Sequence, residues 1–245
     1  MAWLTVLGIP AMAYVVGITA LMFYLQDNVQ NPILLIGAGL LTAGIYIFHR
    51  TLVVAVEPMQ QRHRLALRYK KILFTISWFL LVLAIAAFAI HHPLSTLVVF
   101  CSLAGVIVYG RKTLINPLRT FPYLKPLVVG SAIALFAWLL NDFSNSFVTL
   151  IAFILICSAD ALVCDLVDCE FDTATGCTTL AKILGPHATW SIAGLFYLLA
   201  AIEWQSTIGW IFLIAFPLPL LLSTTVLRTC IDFRPLLVLL IAWTI

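Results

Sequence analysis

The chain is poor in charge. Only 9% of its 245 residues are Asp, Glu, Lys or Arg, while 63% are hydrophobic and the mean hydropathy is +1.12. A soluble domain carries roughly a quarter charged residues, so this chain could not cover a water-facing surface, and lipid is the solvent that fits. It also lacks a charge imbalance large enough to point to nucleic acid, since the net charge is +3. Its cysteines, Cys101, Cys157, Cys164, Cys169, Cys177 and Cys230, include no C-x-x-C pair. That argues against zinc or redox use and leaves them as small buried hydrophobes. The first apolar run has no basic segment or small-residue cleavage site, so it reads as a retained span.

What the sequence has is long apolar runs. A bilayer core needs about 20 apolar residues per helix, and runs of that kind lie near 3–25, 32–56, 71–90, 94–110, 124–141, 146–164, 188–204, 206–227 and 235–245. Prolines mark many of their borders, among them Pro32, Pro58, Pro93, Pro122, Pro186 and Pro235. Pro217 and Pro219 fall inside the eighth run and should kink it. The expected fold is all-α, a polytopic membrane bundle of nine transmembrane helices forming a single domain over 1–245.

The basic residues partition between alternate loops. Arg50, Arg62, Arg64, Arg68, Lys70 and Lys71 lie between the second and third spans, and Arg111, Lys112, Arg119 and Lys125 between the fourth and fifth. Lys182 follows the sixth span, and Arg228 and Arg234 are expected in a loop between the eighth and ninth. The other loops carry none. The positive-inside rule then places the N-terminus and the even loops in the cytoplasm and the C-terminus on the opposite side.

Acidic residues concentrate in one place. Asp160, Asp165, Asp168, Glu170 and Asp172 follow an apolar run without a break. A carboxylate near the bilayer core costs roughly 2.5–3.5 kcal/mol on insertion scales, so something must offset several together. At 100° per residue, Asp165, Asp168 and Asp172 share an arc of about 60°, while Asp160 and Glu170 point elsewhere. Ionised carboxylates only accept hydrogen bonds and cannot bridge one another. They can share a hard cation, and Mg²⁺ is usually held by one or two carboxylates plus substrate phosphates. The stripe therefore reads as a metal and phosphate site, against the plainer reading of a charged loop neutralised by nearby Arg and Lys. Gly176 should end the helix, with Thr178 or Thr179 capping the next turn, which carries Lys182.

These residues resemble a family, the UbiA-type intramembrane prenyltransferases. The string from Asp165 through Asp168, Glu170, Asp172, Gly176, Thr179 and Leu180 to Leu184-Gly185 is similar to that family's second aspartate motif. Tyr109-Gly110-Arg111-Lys112 and Phe121 to Gly130 are similar to its tyrosine and basic residues around the fourth and fifth helices. The resemblance implies a Mg²⁺-dependent membrane enzyme that ionises an isoprenyl diphosphate and transfers the prenyl group to a lipophilic, membrane-soluble acceptor. It implies that Asp165, Asp168 and Asp172 are catalytic and hold Mg²⁺. Arg50, Arg64, Arg111, Lys112, Lys125 and Lys182 become candidates to bind the diphosphate.

The family's other aspartate motif has no counterpart. The corresponding stretch, Tyr46 to Arg64, contains no aspartate, and Glu57 is its one acid. Two readings stay open. His49, Arg50, Arg62 and Arg64 bind diphosphate directly, because guanidinium groups suit phosphate oxygens. Alternatively the basic loop simply pairs with the acidic one, leaving a non-catalytic lipid-binding or transport protein. A terpene-cyclase-like relative that quenches the cation within its own chain is a further alternative.

Overall fold

The computed structural model describes residues 2–25, 31–52, 60–110, 121–144, 146–174, 176–204, 210–211 and 224–244. Among these there is no strand. The helices are α1 (Ala2–Val6), α2 (Ile9–Tyr24), α3 (Pro32–Thr51), α4 (Gln61–Arg68), α5 (Lys70–His91), α6 (Leu94–Gly110), α7 (Leu124–Leu140), α8 (Phe147–Ala174), α9 (Leu180–Trp204) and α10 (Thr224–Thr244). The fold class is all-α. Among the described residues, four helices are long and apolar enough to cross a membrane, within Pro32–Thr51, Lys70–His91, Phe147–Glu170 and Leu180–Ile202. Ile9–Tyr24, Leu94–Val108 and Leu124–Leu140 are shorter and equally apolar. Large apolar side chains such as Ile36, Phe79, Val82, Ile90, Phe100, Leu237 and Trp243 face outward. That surface suits lipid and not water, and the chain is an α-helical membrane protein.

The helix ends follow local chemistry. Asn31 starts α3, its side chain accepting from the Ile33 amide at 3.0 Å, with Pro32 preset for the first helical position. α8 stops where expected: Ala174 is its last residue and Gly176 takes φ +79°, a conformation that disfavours other residues. The Thr179 hydroxyl oxygen then accepts from the Lys182 amide at 3.3 Å and caps α9. α9 is broken at Gly185, φ 79°, followed by Pro186, which matches the span expected to begin near 188.

Packing centres on α8, which lies against α9 and α7, while α3 pairs with α5 and α2 with α10 and α3. Small residues let these backbones approach. A Cβ built on Gly130 of α7 would lie 2.6 Å from the Ser158 backbone nitrogen of α8, and one on Gly17 of α2 would lie 2.9 Å from the Leu236 nitrogen of α10. Ile18, Leu21, Met22, Phe88, Phe153, Ile156 and Tyr197 are fully buried in the resulting core.

One boundary differs from expectation. The sequence pattern predicts Arg228 and Arg234 in a loop, yet both lie inside α10. Two arginines in a helix that packs on α2 are tolerated because each meets a carboxylate of α8, which removes the cost that made a loop the natural assignment.

Candidate functional site

The charged residues gather at one end of the bundle because five helices present their ends there. Tyr46 and Arg50 come from the C-terminal end of α3, Arg62 and His63 from α4, and Lys125 from the start of α7. Asp165, Asp168 and Asp172 occupy the last turns of α8, and Arg228 lies in the second turn of α10. The stripe on α8 is therefore met by bases from three other helices.

It divides into two parts. Lys125 Nζ lies 2.6 Å from Asp165 Oδ1 and 2.6 Å from Asp172 Oδ2, so one ammonium spans two carboxylates. Asp165 is buried, and its other oxygen, Oδ2, has no hydrogen-bond partner. Asp168 turns to arginines instead: Arg62 Nη2 donates to its Oδ1 and Arg228 Nη1 to its Oδ2. The Gln60 amide stands 3.4 Å from the same Oδ1. Both arginine contacts are charge-assisted, the stronger class of hydrogen bond.

Behind Asp168 the positive charge continues. Arg50 donates through Nη2 to the Tyr46 hydroxyl at 2.5 Å, and its Nη1 contacts His63 Nε2. Its guanidinium carbon also sits 4.8 Å from the Tyr46 ring centroid. Arg228 Nη2 reaches the same hydroxyl at 3.3 Å. A guanidinium can only donate, so His63 Nε2 accepts and the ring proton is on Nδ1. Burial, with Arg50 and Arg62 adding to it, pushes His63 down to about 3, and the ring is neutral at pH 7. Burial and Arg50 also lower Arg62, which Asp168 opposes.

The candidates from the sequence distribute unevenly. Asp165, Asp168, Asp172 and Lys125 come together, with Arg50 one contact further back. Arg64 is on the exposed face of α4 and Lys182 is exposed on α9; Lys182 forms no ion pair with a described carboxylate. Arg111 and Lys112 lie outside the described residues, as does Glu57. Arg228 and Tyr46 carry site contacts that sequence reasoning did not assign to them, and of the two α4 arginines named as diphosphate binders, Arg62 reaches the site while Arg64 is exposed.

A metal fits only part of the stripe. Among the described residues, no three His, Cys, Asp or Glu side chains are grouped to hold one. Asp165 and Asp172 do converge on one point, and one carries an unused buried oxygen. Two carboxylates with water and phosphate completing the shell is a common Mg²⁺ arrangement. The pair therefore suits Mg²⁺ in competition with Lys125, and Asp168, held by two arginines, stands outside it.

A second ionic cluster lies deeper. Asp160 is two turns back along α8, about 12 Å by the helical rise. It accepts from Tyr14 Oη at 2.8 Å and Tyr197 Oη at 2.5 Å, and pairs with Arg234. The four side chains come from α8, α2, α9 and α10 and are all buried. At the far end, His92 Nε2 lies 2.8 Å from Asp142 Oδ1 and its Nδ1 2.8 Å from Ser95 Oγ. Ser95 is fully buried, so this trio ties two turns together and offers no exposed nucleophile.

No protein-family model, curated protein or solved structure matches this chain.

Proposed function

We propose that this chain is a UbiA-like membrane prenyltransferase of nine transmembrane spans that binds an isoprenyl diphosphate at its cytoplasmic end. The observation that carries the reading is the α8 stripe of Asp165, Asp168 and Asp172 meeting Lys125, Arg62 and Arg228 from three other helices. Such a cluster of opposed charges is costly in a lipid-facing bundle, and a phosphorylated lipid at the membrane boundary gives it a purpose. The bases of one end, α3, α4, α7 and α10, also share a side, as the positive-inside partition requires.

In the proposed reaction the allylic C–O bond breaks and the electron pair leaves with the diphosphate. Lys125, Arg62 and Arg228 are placed to stabilise that leaving charge. Mg²⁺ held by Asp165 and Asp172 would add Lewis-acid stabilisation of the same oxygens. The prenyl chain lies in the apolar interior, where water is excluded from the cation; a lipophilic acceptor attacks it, forming the new bond to the prenyl carbon and giving up a proton to the departed diphosphate. The test is incubation of the protein in lipid nanodiscs with labelled isoprenyl diphosphates, Mg²⁺ and lipid extract. Label in an acceptor supports the transferase. Hydrocarbon or alcohol released without an acceptor points to the cyclase-like relative. No product with any chain length overturns both.

A second reading is favoured by one observation. Arg62 and Arg228 touch Asp168 directly, which closes the gap a diphosphate would occupy and suits a lipid-binding protein without ionisation chemistry. Saturable lipid binding with neither diphosphate binding nor turnover would select it.

A further inference from the structure

We infer that Arg50, Arg62 and Arg228, gathered around the Tyr46 hydroxyl, form an oxyanion site that takes the oxygens of a phosphate ester without a metal ion. The inference rests on the diphosphate reading and deepens it by assigning where the anion lands and what holds it.

Three observations converge. The first is charge. Three guanidiniums stand together; among the described residues their contacting carboxylate is Asp168, and Asp232 is a second acid within electrostatic reach of Arg62 and Arg228. Among the described residues, two acids face three permanent cations, and His63, beside Arg50, adds no negative charge. A buried cation without a counter-charge is expensive, so an anion is stabilising there.

The second is unused donors. Arg50 and Arg62 are 6% and 8% exposed, and the Nε–H of each is buried with no hydrogen-bond partner. In Arg62 the neighbouring Nη2 is bonded to Asp168. The Nε and Nη2 edge is the fork that grips a carboxylate or phosphate with two parallel bonds, and half of that fork is vacant. A buried orphan donor costs about 1–3 kcal/mol, and a ligand with several acceptor oxygens could satisfy both of these.

The third is position. The side chains of Asp168 and Arg228 are 19% exposed against 10% for Arg62. The cluster therefore opens on the Asp168 and Arg228 side, and Asp168 lies about one helical turn before Asp172, which Lys125 holds. A ligand reaching Lys125 with one phosphate would meet the arginines with the next. An arriving anion competes with Asp168 for Arg62 and Arg228, satisfies the orphan Nε–H groups, and leaves the Arg50 contacts to Tyr46 and His63 intact.

The experiment uses the full chain in nanodiscs of zwitterionic lipid, with EDTA, titrated calorimetrically with inorganic pyrophosphate. Binding is expected without any divalent cation. Arg62→Lys and Arg50→Lys keep the charge and much of the packing but lose the fork, and each weakens binding by roughly tenfold. Their melting temperatures, read in parallel, establish that the variants are folded. Binding that appears only when Mg²⁺ is restored overturns the inference, as do lysine variants that bind as the original does. A repeat in discs containing phosphatidic acid separates the sources of the phosphate. Competition with pyrophosphate identifies a lipid headgroup as an occupant, and its absence identifies a water-borne or diphosphate ester. Metal-free binding with no prenyl transfer would keep this site and remove the enzyme, whereas Mg²⁺-dependent transfer with no metal-free binding would do the reverse.

Discussion

Two acids on the same helix, Asp160 and Asp168, meet arginines in different ways. Asp160 has one arginine and two tyrosines, so its cluster balances one negative charge against one positive, and every member is buried. Asp168 has two arginines in contact, a third behind them, and partial exposure. A balanced, sealed ion pair fixes how helices dock: Arg234 ties α10 to α8, with Tyr14 and Tyr197 adding α2 and α9. An unbalanced, open one keeps capacity for something else. The difference is between a lock and a site, although both are read from the same residue types.

The sharpest way to break that comparison is at the lock. Asp160→Ala leaves Arg234 uncompensated among apolar helices and should cost about 3–5 kcal/mol, read as a drop in melting temperature or loss of folded protein in detergent. Combining Asp160→Asn with Arg234→Met removes both charges and should recover most of that loss. Failure of the double variant to recover would mean that the pair does more than cancel itself.

At the site the effect is smaller and has a different signature. Asp168→Asn should destabilise by about 1–3 kcal/mol, because two guanidiniums lose an ionised acceptor. Pyrophosphate should restore the melting temperature of this variant and bind it more tightly than the original, while prenyl transfer falls. No anion restores Asp160→Ala. A pyrophosphate response equal in both variants would erase the distinction.

His63 offers a pH probe of the same region. Its folded pKa of about 3 lies below the ordinary value of about 6.5, so the unfolded chain binds the proton more readily. Its contribution to stability is present above about pH 6.5 and is lost progressively as pH falls towards 3. Melting temperature should therefore decline from pH 7 to 5, and His63→Gln, which keeps an acceptor for Arg50, should reduce that slope. Smallest of all, Lys182→Ala should change stability by no more than about 0.5 kcal/mol and leave pyrophosphate affinity unaltered, since Lys182 is exposed and outside both clusters.

Local features were the legible ones. The α8 stripe follows from helical spacing, and the Gly176 stop and the Thr179 cap from the preferences of single residues. The break at Gly185-Pro186 is equally local. The shared end of the basic helices followed from counting charges by loop. What was illegible depends on distant partners. Asp160 meets residues 146, 37 and 74 positions away, and no local pattern announces that. Arg234 reads as a loop residue until its counter-ion is found. Arg62 and Arg64 are alike in sequence, and only the rotation of the short α4 against α3 buries the first and exposes the second. Asp168 shared an arc with Asp165 and Asp172, but it pairs with two arginines while they share Lys125.

The most direct test measures equilibrium binding of a labelled isoprenyl diphosphate to the protein in nanodiscs. Three forms are compared: the original chain, the Asp160→Asn/Arg234→Met double variant, and Arg50→Met/Arg62→Met. The account predicts binding by the first two and loss by at least about tenfold in the third. Equal affinity in all three, or no saturable binding by the original chain, would contradict it.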